Sequence, residues 1–193
     1  MPRTLKTVTP MSEDEFFEFC QVNDTLEFER DSHGNIIVMS PTTMSTSSLN
    51  FRIGGVMFKW FEQTGLGEFL DSSSGFTLPN GAVRSPDISW VSPERLINLD
   101  EEEREKFAHV CPDFVVEIRS KSDSKQYVLE KMTEYIQNGT RLGWMVDRFD
   151  RKVYVFREDG SVSTEDFDAV LSGENVLPGL TVDLGTLLKQ PKS

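Results

Sequence analysis

The sequence predicts an α/β (α+β) fold in which helices flank a mixed central sheet, with an N-terminal helix and β-hairpin added. Three observations carry this prediction. Residues 111–147 read as strand, helix, strand: a β-rich run at 114–119, capping oxygens at Ser122-Asp123-Ser124, a helix stop at Asn138-Gly139 and a second apolar run at 142–146. Short strand candidates separated by Gly, Pro, Asn and Ser precede that unit. The chain has 193 residues, 37% of them hydrophobic, enough for a sizeable core without covalent staples.

Taken in order, Ser12 and Glu15 have the spacing of a capping box and open a short amphipathic helix over 12–23. Residues 25–30 and 35–39 flank Asp31-Ser32-His33-Gly34-Asn35 and read as a hairpin, with His33 a solvated turn residue. A Ser- and Thr-rich stretch at 41–48 offers N-caps for a helix whose apolar residues recur at 49, 53, 56, 57, 60 and 61, ending at Gly65 and Gly67. Trp60 and Phe58 are expected in the core rather than as base-stacking platforms. Residues 68–70 and 75–78 are short strand candidates, followed by a turn at Pro79-Asn80-Gly81. The strand that Asp87 opens ends at Ser92-Pro93, where a helical turn runs through Leu96, and the charge run 100–106 reads as solvated. Past the central unit, 153–156 forms a hairpin with the preceding strand, short strands fill 161–186, an amphipathic turn lies near 184–188, and 190–193 is a tail. No repeat or linker splits the chain, so the expectation is one domain over 1–193 with its core at about 46–147.

Net charge is −12 and the pI is near 4.6, which counts against a general nucleic-acid binder, since phosphate contacts need Lys and Arg. A local site is less constrained by total charge. Cys20 and Cys111 make neither a metal knuckle nor a disulfide framework and are expected as buried, reduced thiols. No apolar run approaches a membrane span and no signal-like segment opens the chain, so the expected location is cytoplasmic.

The chemically informative residue is Glu117, a carboxylate inside the apolar run Phe-Val-Val-Glu-Ile. Burying an ionised carboxylate is costly unless a cation or hydrogen bonds accompany it. Asp87 opens another apolar run 30 positions earlier. Strand alternation places Glu117 on the face of Val115 and Arg119. A lone Glu-x-Arg is more often an ion pair than a site. On the following helix Val128, Leu129, Met132, Tyr135 and Ile136 form the apolar face, and Lys131 lies at its edge, its stem long enough to reach the sheet. Taken alone, Lys131 reads as a snorkelling surface lysine. Glu130 and Glu134 are expected to face solvent. Two carboxylates suffice for a hard cation such as Mg²⁺, which keeps several of its waters.

The segments SSGFTLPNGAVRSPDISWVSPERL and CPDFVVEIRSKSD…LEKMTEYIQNGTRLGWMVD resemble the bacterial Uma-type restriction endonuclease family, assigned to the PD-(D/E)XK nuclease superfamily. The resemblance runs from about Met11 to Val176-Leu-Pro-Gly-Leu and rests on Ser-Pro-Asp, Pro-Asp-Phe-Val-Val-Glu, Glu-Lys-Met and Gly-Trp in matching order. It implies a restriction-endonuclease-like core and a metal-dependent DNA endonuclease using Mg²⁺ or Mn²⁺. Asp87 and Glu117 would be the metal ligands and Lys131 a catalytic lysine. Arg119 stands where the family usually places that lysine. It cannot act as a base, but it can stabilise phosphate charge. Ser45 and Thr46 stand where many relatives carry Glu or His. A possible homodimer would suit double-strand cutting. Two other readings are a nuclease-fold binding or assembly module without turnover and a hydrolase of small phosphoesters.

Overall fold

A computed structural model describes residues 3–6 and 9–189; the expected tail at 190–193 lies outside them. The elements in chain order are β1 (Arg3–Leu5), α1 (Glu13–Val22), β2 (Phe28–Arg30), β3 (Ile36–Val38), α2 (Met44–Thr64), β4 (Glu68–Asp71), β5 (Phe76–Thr77), β6 (Val83–Arg84) and β7 (Ile88–Val91). There follow α3 (Pro93–Leu96), α4 (Glu101–Arg104), β8 (Phe114–Ile118), α5 (Lys125–Gln137), β9 (Leu142–Asp147), β10 (Lys152–Arg157), β11 (Val162–Asp166), β12 (Val170–Ser172), β13 (Thr181–Asp183) and α6 (Leu184–Leu187). Among the described residues no helix is long and apolar enough to cross a membrane.

The local signals at helix ends act as read. Ser12 and Glu15 complete the capping box of α1, and Ser124 accepts the Tyr127 amide at the start of α5. Gly65 ends α2 in the left-handed conformation, where a Cβ would be strained.

The main sheet has six strands in the order β11-β10-β9-β8-β7-β4. Only β8 and β9 run parallel, because α5 carries the chain back across the sheet between them. Period-two alternation then divides the core. Phe114, Val116 and Ile118 pack with Leu49, Ile53, Met57 and Trp60 of α2, beside the apolar residues of the β12–β13 pair. Val115 and Met145 pack with Val128, Met132 and Tyr135 of α5. Helix α5 sits close because position 143 is glycine: a Cβ there would lie 2.5 Å from Met132 Cε and 3.3 Å from Val115 Cγ2.

A second sheet, order β1-β3-β2-β6-β5, is antiparallel throughout and lies on the α5 side. Here the structure departs from the sequence reading. Residues 76–77 and 83–84 pair with each other across the Pro79-Asn80-Gly81 turn and join the N-terminal hairpin, not the main sheet. Strand β1 adds a pairing on β3 that no sequence signal predicts. Phe58 is 55% exposed, not core, because it sits about 140° round the helix from Ile53. Trp60 is buried and donates to the Pro178 carbonyl at 3.1 Å. Cys111 is a buried free thiol, whereas Cys20 is only half-buried.

Candidate active site

The register of β7 on β8 pairs Ile88 with Val116, so the next step brings Asp87 opposite Glu117. Directly opposed residues share a face. That face is the one α5 covers. Asp87 is anchored by the Ile118 amide, which donates to its Oδ2 at 2.6 Å. Glu117 is 8% exposed and accepts the Tyr135 hydroxyl on Oε1 at 3.1 Å. Lys131, one turn before Tyr135, lies with Nζ 2.7 Å from the same Oε1. Asp87, Glu117 and Lys131 line one cavity of about 500 Å³, together with Asn50, Ser85, Ser120, Asp123 and Tyr127.

A third carboxylate completes the cluster, and it comes from the second sheet. Glu29 on β2 is fully buried, with Oε1 2.8 Å from Lys131 Nζ. The Ser85 amide donates to Oε1 at 3.0 Å, and Arg84 donates to Oε2 at 3.0 Å. Arg84 also contacts Glu134 at 2.6 Å. The place of Glu134 on the helix predicts a solvent-facing side chain; it is instead the far end of a buried charge chain, because Arg84 lies beneath it.

Burial and pairing set the charge states. Burial pushes the Glu117 carboxyl up to about 8; Lys131 opposes this, while Asp87 and Glu29 add to it. Asp87 is raised chiefly by burial. Burial also acts against charge on Glu29, but Lys131 and Arg84 outweigh it and hold its pKa below the ordinary value. For Lys131 burial is the largest effect and lowers the pKa, yet Glu117 and Glu29 together raise it well above normal. The ammonium is therefore charged and lies between the carboxyl groups of Glu117 and Glu29.

Arg119 is not brought to this cluster. Strand β8 ends at Ile118, so alternation no longer governs the next side chain. Its guanidinium donates to Asp147 Oδ2 at 2.9 Å and to the Asp123 carbonyl at 3.2 Å, and stacks over Phe149. Asp147 is fully buried and requires a cation, which explains the diversion. Near the start of α2, Thr46 Oγ1 accepts from Arg148 at 2.9 Å and Ser45 is exposed; neither lines the cavity. The further carboxylate that the fold brings to Lys131 is Glu29. Nothing local marks it, since Glu27 and Glu29 sit in the same charged-apolar pattern and only the packing of the two sheets separates them.

Among the described residues no group of three or more His, Cys, Asp or Glu is arranged to hold a metal ion. The donor set nevertheless fits a hard dication that keeps most of its waters. Asp87 Oδ1 and Glu117 Oε2 have no hydrogen-bond partner among the described residues, and both side chains line the cavity.

The fold defines a restriction-endonuclease-like α/β protein. A solved structure described as a "putative nuclease belonging to DUF820 from Anabaena variabilis" is similar over 92% of this chain and 97% of that chain, with a TM-score of 0.76 and 21% identity. The Uma2 family profile, described as "Putative restriction endonuclease", matches residues 13–185, and the chain belongs to that family. A second solved structure, "cryoEM structure DrdV-DNA complex", is similar over 76% of this chain and 14% of that chain, with 12% identity and a TM-score of 0.38. No curated protein matches the chain.

Proposed function

We propose that this chain is a metal-dependent DNA endonuclease in which Asp87 and Glu117 hold Mg²⁺ or Mn²⁺ and Lys131 acts on the phosphate. The observation that carries the reading is the convergence of those three side chains on one cavity at the ends of β7 and β8. The chemistry such a cation supplies is Lewis-acid: a lowered pKa for water and compensation of charge on phosphoryl oxygens.

The chain's own residues have distinct tasks in this reading. The Ile118 amide and the Tyr135 hydroxyl each engage one oxygen of a carboxylate, leaving the other oxygen of Asp87 and of Glu117 for the cation. Lys131 has three N–H donors and uses two on Glu117 and Glu29, so one remains for a non-bridging phosphate oxygen. Because Lys131 stays protonated, it acts as a charge and a donor, not as a base. Arg119 is engaged by Asp147 and the Asp123 carbonyl, so this reading gives it no role on the phosphate.

The test is cleavage of supercoiled plasmid and of labelled oligonucleotides with Mg²⁺, Mn²⁺ or EDTA. Cleavage that requires the metal and disappears in Asp87→Ala supports the reading; equal cleavage by wild type and Asp87→Ala sinks it. A second reading is a nuclease-fold module that binds without turnover, in which Arg119, at the family's lysine position, is committed to its pair with Asp147 instead of a substrate. Calorimetric titration with Mg²⁺ and Mn²⁺ separates the two, since that module has no need of a metal.

A further inference from the structure

The lysine of the cluster is held from both sides. Glu117 reaches it from the main sheet and Glu29 from the second sheet, at 2.7 and 2.8 Å. A lysine stem has four rotatable carbons and, left to itself, carries its ammonium toward water. Lys131 is instead about 5% exposed. We propose that Glu29 is the positioning residue for Lys131, fixing its ammonium beside Glu117, so that the N-terminal hairpin is part of the working site. This rests on the nuclease reading above.

Two features distinguish positioning from simple neutralisation of Arg84. The oxygens of Glu29 divide their partners: Oε2 takes Arg84, while Oε1 takes Lys131 and the Ser85 amide. Arg84 meanwhile has a second carboxylate in Glu134. The Ser85 contact also ties the position of Glu29 Oε1 to the segment that leads into Asp87, two residues on. Lysine and first carboxylate are thereby referenced to one another through Glu29. Misplacing a reacting group by about 1 Å costs on the order of 10²-fold in rate.

The experiment combines kinetics with a direct view of the ammonium. In ¹⁵N-lysine-labelled protein, the Lys131 NH₃⁺ cross-peak is identified by its loss in Lys131→Met. It is then followed in Glu29→Gln and, as a control on the far end of the charge chain, in Glu134→Gln. We expect the peak to vanish in Glu29→Gln and to persist in Glu134→Gln. Metal-dependent kcat should fall about 10²-fold in Glu29→Gln with KM little changed. It should stay near wild type in Glu134→Gln. If Glu29→Gln does not fold, Glu29→Asp keeps a buried charge while drawing the carboxylate back by one methylene, and the same loss of signal is expected. An unchanged cross-peak in a folded Glu29 variant overturns the proposal, as does an equal kcat loss in Glu134→Gln. Should the wild type cleave nothing, the nuclease reading fails, while the cross-peak still decides whether Glu29 positions Lys131.

Discussion

The two faces of the main sheet follow opposite rules. Toward α2, strands β7 and β8 present Ile88, Trp90, Phe114, Val116 and Ile118 to an apolar cluster. Toward α5, the same strands present Asp87, Ser89 and Glu117 with Val91 and Val115, and α5 answers with Lys131 amid Val128, Met132 and Tyr135. Burying aliphatic and aromatic groups contributes about 25 cal/mol per Å². Burying charges contributes little net stability, because desolvation consumes most of the Coulomb gain. Apolar packing on both faces holds the molecule together, and only the α5 face also keeps charges at the end of the sheet, at stability's expense. The division is sharp because neighbouring residues of one strand point to opposite faces.

The largest effect is expected from Lys131→Met. It leaves Glu29 and Glu117 without their shared cation, so we expect a loss of roughly 3–5 kcal/mol in urea denaturation and no cleavage. Asp87→Ala should separate the two properties: cleavage falls about 10³-fold, equivalent to about 4 kcal/mol in the barrier, while thermal stability holds or rises, since burial already disfavours the Asp87 charge. A thermal midpoint that drops instead would show the charged face to be structural. Ile53→Ala on the apolar face should do the reverse, costing about 2–4 kcal/mol of stability with kcat per folded molecule unchanged. Arg119→Ala should cost about 2 kcal/mol by exposing the buried Asp147 charge and leave kcat intact; a large kcat loss would return Arg119 to the chemistry.

The finest test is pH. In metal-free protein Glu117 titrates near 8 instead of its ordinary 4.5, so its contribution to stability is whole below about 4.5 and is lost as pH rises through 8. Glu29 has the opposite sign: lowered from 4.5, it contributes above that value and loses its contribution in acid. Cation binding at pH 7 should therefore release protons from Glu117, and the release should vanish above about pH 9. Calorimetry in buffers of different ionisation enthalpy measures it. Release that does not change between pH 7 and 9 would remove Glu117 from the binding group.

What the sequence alone determined is whatever short-range chemistry encodes. The capping box at Ser12 and Glu15, the left-handed Gly65, the strand-helix-strand unit and the carboxylate inside an apolar strand are all legible from neighbours in the chain. The sequence also offers Asp87, Glu117 and Lys131 as candidates, Glu117 by its place in an apolar run and all three by family resemblance, but their meeting at one cavity is tertiary. Tertiary structure decided the rest. Glu29 and Arg84 carry no local mark until a second sheet closes over α5, and Arg119, a candidate by resemblance, is found paired with the buried Asp147. The physical reason is that an ion's partner is chosen by distance and dielectric across the fold, and neither is written in the residues on either side of it.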